Sequence, residues 1–179
     1  MKHIIAILLL AASTFAQDFE FGIGQTEQVT RGLVSYWSMR TSGTTVYDEI
    51  GSNNGTAVNT PTFSAANGVV GNGAGLNGTD EYVSVPDSDS LSFADDPFSI
   101  SVWIKMVDAT GFRIAYKSDI TANYYEYALS TDGSDVLFFT LFDDVGAHRI
   151  SRNSSTMTGY QNAWVHIVAT YDGSTASSG

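Results

Sequence analysis

Along residues 98–106 the apolar residues Phe98, Ile100, Val102, Ile104 and Met106 alternate with Ser99, Ser101, Trp103 and Lys105. The period is two. A helix would scatter those apolar side chains around its circumference, whereas a strand sets them on one face, so the spacing predicts a half-buried antiparallel strand with a cover over that face. Alternating or short apolar runs recur at 33–39 (LVSYWSM), 82–85 (YVSV), 112–117 (FRIAYK), 124–130 (YYEYALS), 136–142 (VLFFTLF) and 164–171 (WVHIVATY), with shorter extended pieces at 44–47 and 54–58. Within 124–130, Tyr125, Tyr127 and Leu129 share a face. Asn77-Gly78 and Asp172-Gly173 read as turns, and Pro86 removes a ladder donor and ends the strand before it. Many short strands, close turn signals and no amphipathic helix predict an all-β, two-sheet antiparallel sandwich.

The N-terminus carries a different pattern. Lys2 precedes an apolar run at 4–12, and Thr14-Phe15-Ala16 ends on a small residue, which is the layout of a cleavable export leader. The run is shorter than the roughly 20 apolar residues of a membrane-spanning helix. The sequence therefore predicts a leader over 1–16, a polar linker over 17–31 and one domain over 32–179. The protein is expected to be secreted, periplasmic or at the cell surface, with no membrane span after cleavage. A formal net charge of −11 argues against nucleic acid and anionic membrane surfaces as partners. Export would permit disulfides, yet the chain has no cysteine, so its stability must come from packing, sheet hydrogen bonds or a metal.

Five segments, GLVSYWSM, SGTTVYDEIGSNNGT, GAGLNGTDEYVSVPDSDSL, PFSISVWIK and AWVHIVATYDG, resemble in this order the LamG-like jelly-roll domains of the concanavalin A-like lectin/glucanase superfamily. The resemblance covers residues 32–173, and its WxHxxxTYDG ending is the most specific part. It implies a two-sheet jelly roll. It implies less about function, because the fold hosts sugar-binding modules, adhesion domains, polysaccharide hydrolases and spacer domains. In similar domains the hairpin after the TYDG strand returns as another strand, and a final strand pairs back near the first. Here STASSG follows, so the resemblance predicts a domain truncated at its C-terminus, with unpaired edges at 164–171 or 33–39.

A glycosidase needs two carboxylates flanking the scissile bond. The β-glucan-cleaving members of the superfamily carry them as E-x-D-x-x-E, and none of Glu20, Glu27, Glu49, Glu81 and Glu126 has that spacing. His148 and His166 show no partner cluster, and the serines fall mostly in turns. The sequence thus predicts no catalysis. Sugar binding would use aromatic platforms with polar groups beside them, for which Tyr116, Tyr124, Tyr125 and Glu126 are the candidates. Trp37, Trp103 and Trp164 lie within strands and are expected in the core. Asp48, Asn53 and Asn54 offer the oxygen donors that calcium takes, and similar domains often hold one calcium near this loop, with further ligands from a late strand.

The reading that results is an exported, non-catalytic module for a glycan or another extracellular ligand, with calcium as its candidate cofactor. The alternatives are an adhesion or assembly domain with a protein partner, and a partial glycoside hydrolase.

Overall fold

The computed structural model describes residues 5–10, 32–119, 124–143 and 148–174. The linker expected at 17–31 lies outside them, and of the expected leader they include only 5–10. In chain order the strands are β1 (Ile5–Leu10), β2 (Leu33–Ser42), β3 (Thr45–Asp48), β4 (Gly55–Val58), β5 (Thr62–Ser64), β6 (Gly73–Gly75), β7 (Tyr82–Ser84), β8 (Phe98–Lys105), β9 (Arg113–Asp119), β10 (Tyr124–Thr131), β11 (Val136–Phe142), β12 (Arg149–Thr156) and β13 (Trp164–Tyr171). A seven-stranded sheet runs β13-β8-β1-β2-β3-β4-β7, a four-stranded sheet runs β12-β11-β10-β9, and β5 pairs with β6. All pairings are antiparallel. This is the antiparallel sandwich that the period-two patterns predict, with the jelly-roll architecture that the family resemblance implies. No helix among the described residues is long and apolar enough to cross a membrane.

The alternation along β8 decides where the core lies. Phe98, Ile100, Val102, Ile104 and Met106 are all buried. On β13, Ile167 and Ala169 stand opposite Val102 and Ile100 and are buried with them. Phe98 joins the two sheets. Its ring stacks on Phe93 at 4.3 Å and meets Tyr127 of β10 at 5.4 Å and Phe139 of β11 at 5.7 Å. Offset and edge-on contacts of this kind add about 0.5–1.5 kcal/mol each beyond the area they bury.

The same parity corrects the expectation for the tryptophans. Trp37 is core, 5% exposed, and its indole N–H donates to the Asn53 carbonyl at 2.8 Å. Trp103 is 40% exposed. It sits on the outward face with Ser99 and Lys105, and it stacks on His166 of β13 at 4.9 Å. Trp164, opposite Lys105, is half-buried on that same face. A strand buries one side, and position within a recognisable motif does not say which.

Two regions are covered less completely. Every residue of β11 is half-buried, with Leu137, Phe139 and Leu141 packed toward the core, and every residue of β12 is exposed. Among the described residues β13 pairs only with β8, whereas β2 pairs on both sides, with β1 and β3.

Candidate functional site

The outward face of the four-stranded sheet is built by register. Tyr116, Ala128, Thr140 and Ser151 form one row across β9, β10, β11 and β12, and Arg113, Ser130, Phe138 and Asn153 form the next. Pleating sends the intervening residues Leu129, Phe139 and Leu141 toward the core. Ala128, only 4% exposed, floors the first row between Tyr116 and Thr140. An open cavity of about 260 Å³ lies over this face, lined by Ser130, Thr131, Asp132, Phe138, Thr140, Arg149 and Ser151. Thr140 and Ser151 share a hydrogen bond at 2.8 Å. The Arg149 side chain has no hydrogen bond or ion pair among the described residues. At one flank the Arg113 guanidinium lies over the Tyr116 ring at 5.1 Å. The cavity therefore offers hydroxyls, the Arg149 guanidinium and one aromatic ring, that of Phe138, with Arg113 and Tyr116 elsewhere on the same face.

Asp132 plays a different part. Its Oδ1 accepts from the backbone amides of Ser134 and Val136 at 2.8 and 3.0 Å, which shapes the turn into β11.

The predicted ligand residues divide between two places. Tyr116 belongs to the outward face. Tyr124 and Glu126 line a smaller cavity of about 110 Å³ at the rim, with Phe93, Ala94, Phe98, Tyr127, Leu141 and Phe142. Tyr125 is half-buried, its ring 5.5 Å from Phe142. Strict alternation from Tyr125 and Tyr127 would put Glu126 on the opposite face, but the β9–β10 register slips between those tyrosines. Such a bulge re-aims a side chain. Glu126 Oε1 consequently lies 2.8 Å from Lys117 Nζ and accepts from Ser92 Oγ at 3.1 Å. Lys117 also pairs with Asp87 at 3.0 Å. Burial works against the Lys117 charge, but Glu126 and Asp87 outweigh it and raise its pKa. Burial likewise pushes the Tyr127 hydroxyl well above the usual range.

Asp48, Asn53 and Asn54 do converge, and they are occupied with one another. Asp48 Oδ1 accepts from the amides of Tyr36, Ile50 and Gly51, and Oδ2 from that of Asn53, at 2.9–3.1 Å. Burial disfavours the Asp48 charge, yet the amides of Tyr36, Gly51 and Ile50 outweigh it and hold the carboxyl below its ordinary value. Asn53 Nδ2 donates to Ser35 and Ser90 Oγ, and Asn54 Oδ1 accepts from the Asp48 amide. A Cβ on Gly51 would sit 2.6 Å from Asp48 Oδ2 and 2.8 Å from the Val34 carbonyl, so the loop needs glycine there. Calcium takes six to eight oxygens. This donor set does not fit it, because the Asp48 oxygens already face amide donors. Among the described residues no group of three His, Asp or Glu side chains is placed to hold a metal.

Both described histidines have partners that the sequence did not reveal. His148 Nδ1 lies 2.7 Å from Asp143 Oδ2, and His166 Nε2 lies 2.8 Å from Ser101 Oγ. Ser101 is buried on an open sheet face, and among the described residues no carboxylate hydrogen-bonds His166, so the pair lacks the orienting acid of a triad.

Sequence reasoning missed Phe138, Thr140, Arg149 and Ser151. VLFFTLF is apolar at every position but Thr140 and so marks no outward side, and strand register alone brings Arg149 and Ser151 beside it. A laminin G family model, described as the concanavalin A-like lectin/glucanases superfamily, matches residues 77–178, more than half of the chain. No curated protein and no solved structure matches.

Proposed function

The chain belongs to the concanavalin A-like lectin/glucanases superfamily, and from that premise we propose that it is an exported, non-catalytic module that holds a glycan on the outward face of its four-stranded sheet. The superfamily contains binding proteins and hydrolases alike, and laminin G-like domains in general bind carbohydrate or protein. What carries the choice of glycan is the composition of the cavity over β10, β11 and β12. Ser130, Thr140, Ser151 and Arg149 line it together with Phe138, so hydroxyls and a guanidinium share the cavity with an aromatic ring. Sugars present vicinal hydroxyls and apolar C–H faces, which such a mixture can hydrogen-bond and stack against.

The non-catalytic reading rests on the carboxylates. Glu126 and Asp87 both converge on Lys117 instead of facing each other across a groove as an acid and a base or nucleophile. The Asp48 loop is read as a structural knot in which the carboxylate organises the chain by accepting from the amides of Tyr36, Ile50, Gly51 and Asn53. The leader pattern at 1–16 supports export.

A glycan array on the folded chain, repeated with Arg149→Ala and Phe138→Ala, tests the proposal. Binding that both variants lose is expected. Binding that both retain would move the site elsewhere, and an array without any hit, beside capture of a protein ligand, would favour the adhesion reading.

A further inference from the structure

We propose that the rim cavity beside the outward face is a subsite for an acetamido group, a conclusion that rests on the glycan reading above and names the bound sugar as N-acetylated. An unsatisfied hydroxyl carries it. Tyr127 is 7% exposed and lines this cavity, and its hydroxyl has no hydrogen-bond partner among the described residues. A buried hydroxyl left unpaired is costly until an occupant pairs with it. Burial keeps this one protonated and therefore a donor. Glu126 supplies the complementary acceptor on the same cavity. Its contacts with Lys117 and Ser92 are both at Oε1, and Oε2 accepts no hydrogen bond among the described residues.

Size and wall chemistry narrow the occupant. The cavity holds about 110 Å³, less than the ~150 Å³ that receives a benzene, so a whole sugar ring does not fit and only a pendant group enters. The rings of Phe93, Phe98, Tyr124 and Phe142, with Leu141, make the walls apolar. A hydroxymethyl group would leave those walls unfilled. A carboxylate or sulfate would meet Glu126 and Asp87, two negative charges against the single ammonium of Lys117. An acetamido group meets every requirement. Its methyl packs against the rings, its carbonyl accepts from the Tyr127 hydroxyl, and its N–H donates to Glu126 Oε2.

The rim cavity also lies within reach of the outward face. Phe142, one of its walls, stands directly opposite Arg149 in the β11–β12 register, and Arg149 lines the outward cavity. Opposed Cα atoms are about 5 Å apart, so a sugar engaged by Arg149 can extend its pendant group over the strand end.

An amide-resolved NMR titration of the folded chain with N-acetylglucosamine and N-acetylgalactosamine tests this subsite. Glucose and galactose, with a hydroxyl in place of the acetamido group, are the controls. Saturable shifts at Tyr124, Tyr127 and Phe142 are expected with the N-acetylated sugars and not with the controls. Tyr127→Phe should weaken that binding about tenfold, the worth of one hydrogen bond. It should leave the urea midpoint unchanged or raised, since the lost hydroxyl has no partner in the fold. Tyr124→Ala, at a wall residue 42% exposed, should weaken binding while the chain stays folded. The proposal is overturned if the controls shift the same amides equally, if no sugar shifts them, or if Tyr127→Phe binds as well as the wild type or lowers the urea midpoint. It is also overturned if Nε-acetyl-lysine binds there more tightly than both sugars, which would assign the cavity to a protein ligand. A glycan-array hit that needs Arg149 but is indifferent to N-acetylation would sink this subsite alone, whereas an array without any hit would remove the glycan reading beneath it.

Discussion

Lys117 Nζ stands 2.8 Å from Glu126 Oε1 and 3.0 Å from Asp87 Oδ1, so one ammonium ties the bulge in β10 to the loop between β7 and β8. Removing one member of such a partly buried set leaves the other charges poorly compensated. Glu126→Gln should lower stability by about 1–3 kcal/mol in urea unfolding. The raised pKa of Lys117 gives the sign of the pH effect. Its contribution is full below the unfolded lysine value, about pH 10, and fades as the pH rises through the higher folded value. If Glu126→Gln instead abolished a measurable glycanase activity, the non-catalytic reading would fail.

Asp48 predicts the opposite pH response. Its folded pKa lies below the ordinary value, so its contribution is present above about pH 4 and is lost as the pH falls through the lower folded value. Asp48→Asn should destabilise the protein at pH 7 and flatten the loss at low pH, since an amide cannot accept from all four backbone donors. Gly51→Ala should act in the same direction, because its Cβ would meet Asp48 Oδ2. Millimolar calcium is expected to leave Tm unchanged. A clear rise that disappears in Asp48→Asn would show that calcium recruits this loop.

The tryptophans separate core from surface. Trp37→Ala should cost about 3–5 kcal/mol and Ile100→Ala about 2–5 kcal/mol as large-to-small core changes. Trp103→Ala loses a stacked contact with His166 on an open face and should cost only about 1 kcal/mol. Equal losses at Trp37 and Trp103 would contradict the assigned faces.

The period-two runs made the sandwich legible, because a half-buried strand writes its own orientation into the sequence. Residues 98–106 show this directly, since Phe98, Ile100, Val102, Ile104 and Met106 are all buried. The pattern was less informative wherever geometry departed from ideal pleating. The bulge that turns Glu126 toward Lys117 has no sequence mark of its own. Neither does the pairing of His166 with Ser101, residues brought together by strand register alone. Asp48, Asn53 and Asn54 were legible as a cluster, but whether their oxygens face an ion or backbone amides depends on how the loop folds. The residues at 136–142 read as an apolar strand, and only the sheet order shows that one side of it looks away from the core.

The most direct test of the glycan-binding account is an amide-resolved NMR titration of the folded chain with the strongest glycan-array ligand. The account predicts saturable shifts centred on Ser130, Phe138, Thr140, Arg149 and Ser151, abolished by Arg149→Ala, with the glycan recovered uncleaved. Shifts that saturate elsewhere, no saturable shifts at all, or cleavage products in the tube would contradict it.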